Sequence, residues 1–293
     1  MHAFLITAYK DREQLLRLIN SLSPHANLYV HIDTKSRELN GEELRGLGFE
    51  NTTFISKYSI SWGSYKHLLA IRDLLYLALE DSENTYFHTI SAQDFPICSW
   101  EKFESFFQDN KGKIYMTCRD VEDLDENVKD RYRFRYLQTE GKTVRKIANR
   151  IGLIIQQLLR CRRSYIGEYK KIFKGMVWAS FPRNAAELVC EVCEKTQGFL
   201  KNLKNVYIPE EFFFQTIFMN SAFAPSVVPN NLRYTDWNSK DGRSPRTLDG
   251  GDFAKVIESE CLFARKIDSH ISADFMKQLD EYLAIENQTG DIQ

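Results

Sequence analysis

Glycine and proline are scarce, at fourteen and seven of 293 residues. No Pro/Gly-rich linker divides the chain and no internal repeat is visible. One continuous domain with an inserted helical region is therefore expected, although length alone allows two. A net charge of either sign is also missing, since 39 Lys and Arg face 40 Asp and Glu. No global field argues for nucleic acid or an acidic polymer as partner. No apolar run approaches the roughly 18 residues a membrane span needs. The first ten residues, MHAFLITAYK, lack a basic leader region and a small-residue cleavage site, so they read as a first strand and not as a signal peptide. The six cysteines (98, 118, 161, 190, 193 and 261) show no framework spacing, which suits reduced thiols in a cytoplasmic protein. Neither GxGxxG nor GxxxxGK[ST] occurs, which disfavours dinucleotide oxidoreductases and P-loop NTPases. The six histidines form no HxxxH or HExxH pair, so a catalytic zinc site is not expected.

What is present is enough apolar residue for a large core, 43% hydrophobic and 13% aromatic, which excludes wholesale disorder. Strand-like and helix-like segments alternate through the first 120 residues. Residues 3–8, 27–32, 52–56, 86–91 and 113–118 read as strands, and 11–22, 65–80 and 99–109 as helices. That order predicts an α/β fold with a mostly parallel central sheet and helices on both faces. Ligands of such sheets sit beyond the carboxyl ends of the strands. Thr7–Lys10, His31–Asp33 and Ser91–Pro96 fall there.

The middle changes character. Residues 119–130 hold six acids and two bases, while 141–174 hold ten Lys and Arg and one acid, Glu168. Val144, Ile147, Ile151, Ile154, Ile155 and Leu158 recur at helical spacing, predicting a basic amphipathic helix. Two readings are open: its stripe packs on the core, or it rests on an anionic membrane surface. Further on, 183–200 and 209–220 read as helices, 230–252 as a loop, and 252–268 and 270–286 as helical or terminal segments. The chain divides into an alternating first part (1–120), the charged insertion (121–174), a mixed part (175–270) and a C-terminal helix and tail (271–293).

Several motifs have both a chemical and a structural reading. Asp123-Leu124-Asp125 has a metal-binding form but lies in a polar acidic stretch and reads as a solvated loop. Cys190-x-x-Cys193 has redox spacing but sits in a helical pattern, where packing is the expected role. In Trp62-Gly63-Ser64-Tyr65, Ser64 is a candidate helix cap, Gly63 permits a tight turn, and Trp62 suits the core. Pro209-Glu210-Glu211 is good helix-start chemistry, and equally one of its carboxylates suits a general base. Arg243, Arg246, Arg265 and Lys266 flank the last helical segment, where basic residues are usually solvated; a cluster of fixed cations is equally what a departing diphosphate requires when no metal is present.

These pieces occur in a characteristic order: HAFLITAYKDREQLLRLINSL, LYVHIDTKS, WGSYKHLLAIRDLL, HTISAQDFPI, YIPEEFFFQTIFMNS, LRYTDW and LFARKID. In that order the sequence resembles the core-2/I-branching β-1,6-N-acetylglucosaminyltransferase family, which includes the peptide O-xylosyltransferases. The likeness covers roughly residues 2–120 and 173–268. It implies a single GT-A-like domain with 1–120 as its nucleotide-binding half and 175–270 as its acceptor and catalytic half, a UDP-sugar donor (N-acetylglucosamine or xylose type, or a galactose form), inversion at the anomeric carbon, and no divalent metal or other cofactor.

Carried over residue by residue, the family's catalytic base falls on Glu211 and its diphosphate ligands on Lys266, with Arg265 beside it. A second cation falls on Arg243 or Arg246. The uridine positions fall near Ala8 and on Asp33. Trp62, Asp94, Trp178 and Glu210 are candidates for the substrate pocket. Golgi members carry a membrane anchor, a stem and disulfides. Their lack here implies a bacterial-type cytoplasmic enzyme, peripheral at the inner membrane face, acting on a glycan or lipid-linked oligosaccharide in surface polysaccharide synthesis. No nucleic acid partner is expected. Two rivals stand beside this reading. One is a metal-dependent glycosyltransferase using Asp123 and Asp125, and the other a non-catalytic glycan- or nucleotide-binding module.

Overall fold

The computed structural model describes residues 1–137, 142–239 and 244–290. The first half alternates as expected: β1 (His2–Ala8), α1 (Arg12–Leu22), β2 (Asn27–Ile32), α2 (Gly41–Gly46), β3 (Thr52–Ile55), α3 (Tyr65–Glu80), β4 (Tyr86–Ser91), β5 (Asp94–Pro96), α4 (Trp100–Asp109) and β6 (Ile114–Met116). Then come β7 (Arg119–Asp120), α5 (Glu126–Arg133), α6 (Lys142–Leu158), β8 (Phe173–Lys174), β9 (Ala179–Pro182), α7 (Arg183–Lys195), α8 (Gln197–Leu203) and α9 (Glu210–Met219). The last elements are β10 (Val227–Val228), β11 (Arg233–Thr235), α10 (Phe253–Ile257), β12 (Phe263–Arg265) and α11 (Ala273–Gly290).

Among the described residues a seven-stranded sheet runs β10-β6-β9-β4-β1-β2-β3. Every neighbouring pair is parallel except those made by β9, which is antiparallel to both β4 and β6. The mixed α/β fold with a mostly parallel sheet follows from residues buried on both faces of the central strands. In β1, Ala3 and Leu5 join the core layer with α3, α7 and α9, while Phe4 and Ile6 join the layer with α1, α4 and α11. That is the two-residue alternation of a strand. Helix α1 begins where the Asp11 carboxylate accepts from the Gln14 N–H at 3.1 Å. Helix α9 is apolar on all sides, with Phe212, Phe213, Phe214, Ile217 and Phe218 buried, so it runs through the interior and not along the surface. Its start is thereby fixed in place.

The structure differs from the sequence reading in the second half. Segment 183–200 is two helices, α7 and α8, and the 230–252 loop contains strand β11. Segment 252–268 is the short helix α10 followed by strand β12. β12 pairs with β11 and β5 in a small second sheet. Three-residue strands are too short to display a period of two, which is why their residues read as helix or loop. Pro209 caps α9 instead of occupying its first turn.

Candidate functional site

The carboxyl ends of β1, β2 and β4 meet where the sequence places its nucleoside candidates. Ala8, the last residue of β1, is buried and its carbonyl accepts from the Asp33 N–H at 2.9 Å. Asp33 accepts in turn from the N–H groups of Lys35 at 3.0 Å and Ile60 at 3.2 Å. It thereby fixes the loop that leads to Trp62. Ala8 and Asp33 are thus brought together by one continuation of the β1–β2 ladder.

Helix α9 presents two carboxylates to this end of the sheet, with different surroundings. Glu210 is buried, with Oε1 3.0 Å from His67 Nδ1. The other nitrogen of His67 lies 3.4 Å from the Thr7 hydroxyl on β1. Glu211 is partly open, and its Oε2 meets both Arg131 Nη1 and Lys174 Nζ at 2.9 Å. Two cations on one oxygen hold the carboxylate in a single rotation.

The backbone around these residues is tightly specified. Gly63 has φ +68°, and a Cβ there would meet Ile208 Cγ1 at 3.0 Å. Ile208 itself has φ +58°, a left-handed conformation that is costly for a β-branched residue and is sustained by its surroundings. The Trp62-Gly63-Ser64 turn is therefore packed on the start of α9. Ser64 stands at the head of α3 without a side-chain capping bond; its hydroxyl instead accepts from the Ser61 N–H. Trp62 does not enter the core. It is 69% exposed, with its ring edge on Tyr207. The turn beneath the ring is closed by Ile208 against Gly63, which leaves the ring outside.

On the far side of β4, Asp94, Trp178 and Arg265 form one buried cluster. Arg265 Nη1 donates to both Asp94 oxygens, at 3.1 and 3.0 Å, and its guanidinium lies 4.5 Å from the centre of the Trp178 ring. Asp94 also accepts from the Ser91 N–H and hydroxyl, at 2.7 and 2.6 Å. A second arginine, Arg233, approaches Asp94 at 3.7 Å. Burial first, and then the charge of Arg265, push Arg233 down to about 10 against the pull of Asp94; it stays charged at neutral pH. Two guanidiniums face one carboxylate, so a net positive charge is built in next to Lys266 along the chain. The segment after Arg265 is stitched to the same sheet end, because Ile267 N–H donates to the Gln93 carbonyl at 2.9 Å and Lys10 pairs with Asp268 at 3.1 Å.

Of the other predicted cations, Arg246 lies beside Lys266, whose N–H donates to the Arg246 carbonyl at 3.4 Å. Arg246 is held by Asp236 at 2.9 Å, Asp249 at 3.2 Å and Asp252, which raises its pKa. A guanidinium shared by three carboxylates clamps this loop. Arg243 lies outside the described residues. Asp123 and Asp125 are exposed between β7 and α5. Among the described residues no group of three or more His, Cys, Asp or Glu is arranged to hold a metal ion. Cys190 and Cys193 are buried, and burial pushes both thiols up to about 12, as packing residues should be. Arg131, Lys174 and His67 escape sequence reasoning. Each is an ordinary charged or polar residue in its local pattern, distant in sequence from the group it touches.

The family described as Core-2/I-Branching enzyme matches residues 2–261. Xylosyltransferase sqv-6 of Caenorhabditis elegans is 23% identical over 291 residues, covering 90% of this chain and 34% of the relative. Xylosyltransferase 1 of Mus musculus is 27% identical over 282 residues, covering 87% and 27%. The chain spans about a third or less of the length of these curated relatives. Among solved structures, S. aureus TarS 1–349 is similar over 98% of this chain and 65% of its own, at 11% identity and a TM-score of 0.41.

Proposed function

The chain belongs to the core-2/I-branching enzyme family, and from that premise we propose that it is an inverting glycosyltransferase of GT-A-like architecture that moves a sugar from UDP to an acceptor hydroxyl without a divalent metal. One observation carries the reading: Glu211, an oriented and partly open carboxylate, and the buried Arg233–Arg265 charge flank the same strand ends. Thr7 and Ser91 are register partners on β1 and β4. Thr7 leads through His67 to Glu210, and Ser91 leads through Asp94 to Arg265.

In the proposed step the acceptor oxygen bonds to C1 of the sugar as the C1–O bond to the diphosphate breaks. Glu211 takes the acceptor proton and UDP departs with the electron pair. Lys266, backed by Arg265, offsets the charge that develops on the diphosphate. Ala8 and Asp33 lie against the nucleoside, and Glu210 with Trp178 lines the sugar side. A pure binding module needs no base, and the specific bracing of Glu211 by Arg131 and Lys174 favours the enzyme over that rival. The donor sugar is of the N-acetylglucosamine or xylose type, with a galactose form as the remaining candidate. The acceptor is a glycan of the bacterial cell surface assembled on the cytoplasmic side.

A panel of UDP-sugars tests this by thermal shift and UDP release, each with and without EDTA. One donor is expected to raise the melting temperature and turn over equally in both buffers. Activity abolished by EDTA and restored by manganese would favour the Asp123/Asp125 alternative.

A further inference from the structure

We propose that α6 is an interfacial anchor that lays this molecule on an anionic lipid bilayer. The acceptor part of the inference, a substrate carried by lipid, rests on the glycosyltransferase reading above. The docking part does not. An amphipathic helix of a globular protein ordinarily turns its apolar stripe inward. In α6 the stripe faces out. Ile147, Ile151, Ile154 and Ile155 are each about half exposed, and Leu158 is 77% exposed. The helix is held to the body by its polar side. Asn149 accepts from the Leu137 N–H at 2.7 Å and donates to the Leu137 carbonyl at 3.2 Å. Gln156, seven residues on and so on the same face, accepts from the Arg135 N–H at 2.8 Å and donates to its carbonyl at 3.0 Å. These paired bonds fix the orientation, so the stripe is presented outward by design of the contacts opposite it.

Charge selects the occupant. Residues 141–163 contain seven Lys and Arg and no Asp or Glu; Arg163 turns inward to Asn202 and Phe134 and Arg145 to Trp62, while Lys146 and Arg150 lie beside the stripe by helical position. Two copies of this face would repel each other, whereas an anionic headgroup layer neutralises it while the isoleucines enter the acyl boundary. No described helix is long and apolar enough to cross a membrane, so α6 lies along the surface. Its near end is tied to the site, since Arg145 donates to the Trp62 carbonyl at 3.3 Å and the exposed Trp62 ring sits on Tyr207, just ahead of Glu210 and Glu211. A bilayer against α6 therefore lies on the side of Trp62 and Tyr207, from which a hydroxyl on a lipid-linked glycan can reach Glu211.

The test is co-sedimentation of the full chain with vesicles of phosphatidylcholine alone or with about one third phosphatidylglycerol. Wild type is expected to bind the anionic vesicles at least about tenfold more strongly, and less at high salt. Ile147→Gln/Ile151→Gln/Ile154→Gln should lose at least about tenfold of that binding. Its melting temperature and its thermal shift with UDP should stay at wild-type values. Lys146→Gln/Arg150→Gln, which leaves the stripe intact, should lose roughly fivefold per cation. Wild type that ignores anionic vesicles, or binding unchanged in both variants, overturns the proposal. So does a wild-type dimer that the triple variant converts to monomer, because a second copy would then cover the stripe. Normal UDP binding alongside any of these failures leaves the glycosyltransferase reading standing.

Discussion

Arg131 and Lys174 meet one oxygen of Glu211, so either can be removed without leaving the carboxylate unpaired, but its rotation is then less restricted. Misplacing a reacting group by an ångström costs up to about 100-fold in rate. Lys174→Met is expected to lower kcat by about tenfold or more while UDP affinity holds, measured by turnover beside calorimetric titration. Equal loss in both would make Lys174 a donor-binding residue instead. Glu211 was legible because an acid after Pro209 is a local pattern, and Asp33 because it ends a strand. The cations around Glu211 were not legible, since only the fold brings α5 and β8 to α9. The partners of Arg246 were not legible either, although its three carboxylates lie within ten residues of it, because charge alone does not say which way a guanidinium turns.

At the scale of elements, the loop joining β8 to β9 is held at a backbone contact. Gly175 donates its N–H to the Glu211 carbonyl at 2.9 Å, and a Cβ on it would fall 1.7 Å from the Thr117 carbonyl oxygen. Gly175→Ala is therefore expected to cost about 3 kcal/mol or more of stability and to displace Lys174 from Glu211, read by chemical denaturation and turnover together. Unchanged stability would mean that the loop has room to move. Long periodic elements such as α3 were legible to the residue. The direction of α6 was not, because an amphipathic pattern states that a face is apolar and not what lies against it. Short strands such as β12 were lost because their residues are set by pairing partners far along the chain.

Across the whole molecule, three buried imidazoles set a pH limit. His31 Nε2 accepts from the N–H groups of Lys57 and Tyr58 at 3.3 and 3.1 Å, which requires the neutral ring. Burial lowers its pKa to about 4, against the pull of Asp33. His2 and His88 lie 2.8 Å apart, and His88 is 2.9 Å from the Ser180 hydroxyl. Burial lowers His2 to about 4 and His88 well below the usual range. A pKa depressed in the fold means that the unfolded chain binds more protons below about pH 6.5. The contribution is full above that pH and is lost as pH falls toward 4. Stability should drop by about 1–2 kcal/mol per imidazole between pH 7 and pH 5, measured by denaturant titration. A flat profile over that interval would mean that these rings are hydrated in solution.

The central claim is that the Glu211 carboxylate strips the proton from the incoming hydroxyl while protein charge steadies the departing UDP. Its most direct test is the turnover of Glu211→Gln in excess EDTA, with UDP binding measured on the same preparation. The expected result is a fall in kcat of at least about 100-fold with UDP affinity essentially that of wild type. A variant that keeps more than about a tenth of wild-type turnover would contradict the assignment, since general-base catalysis of this kind contributes at least about 100-fold.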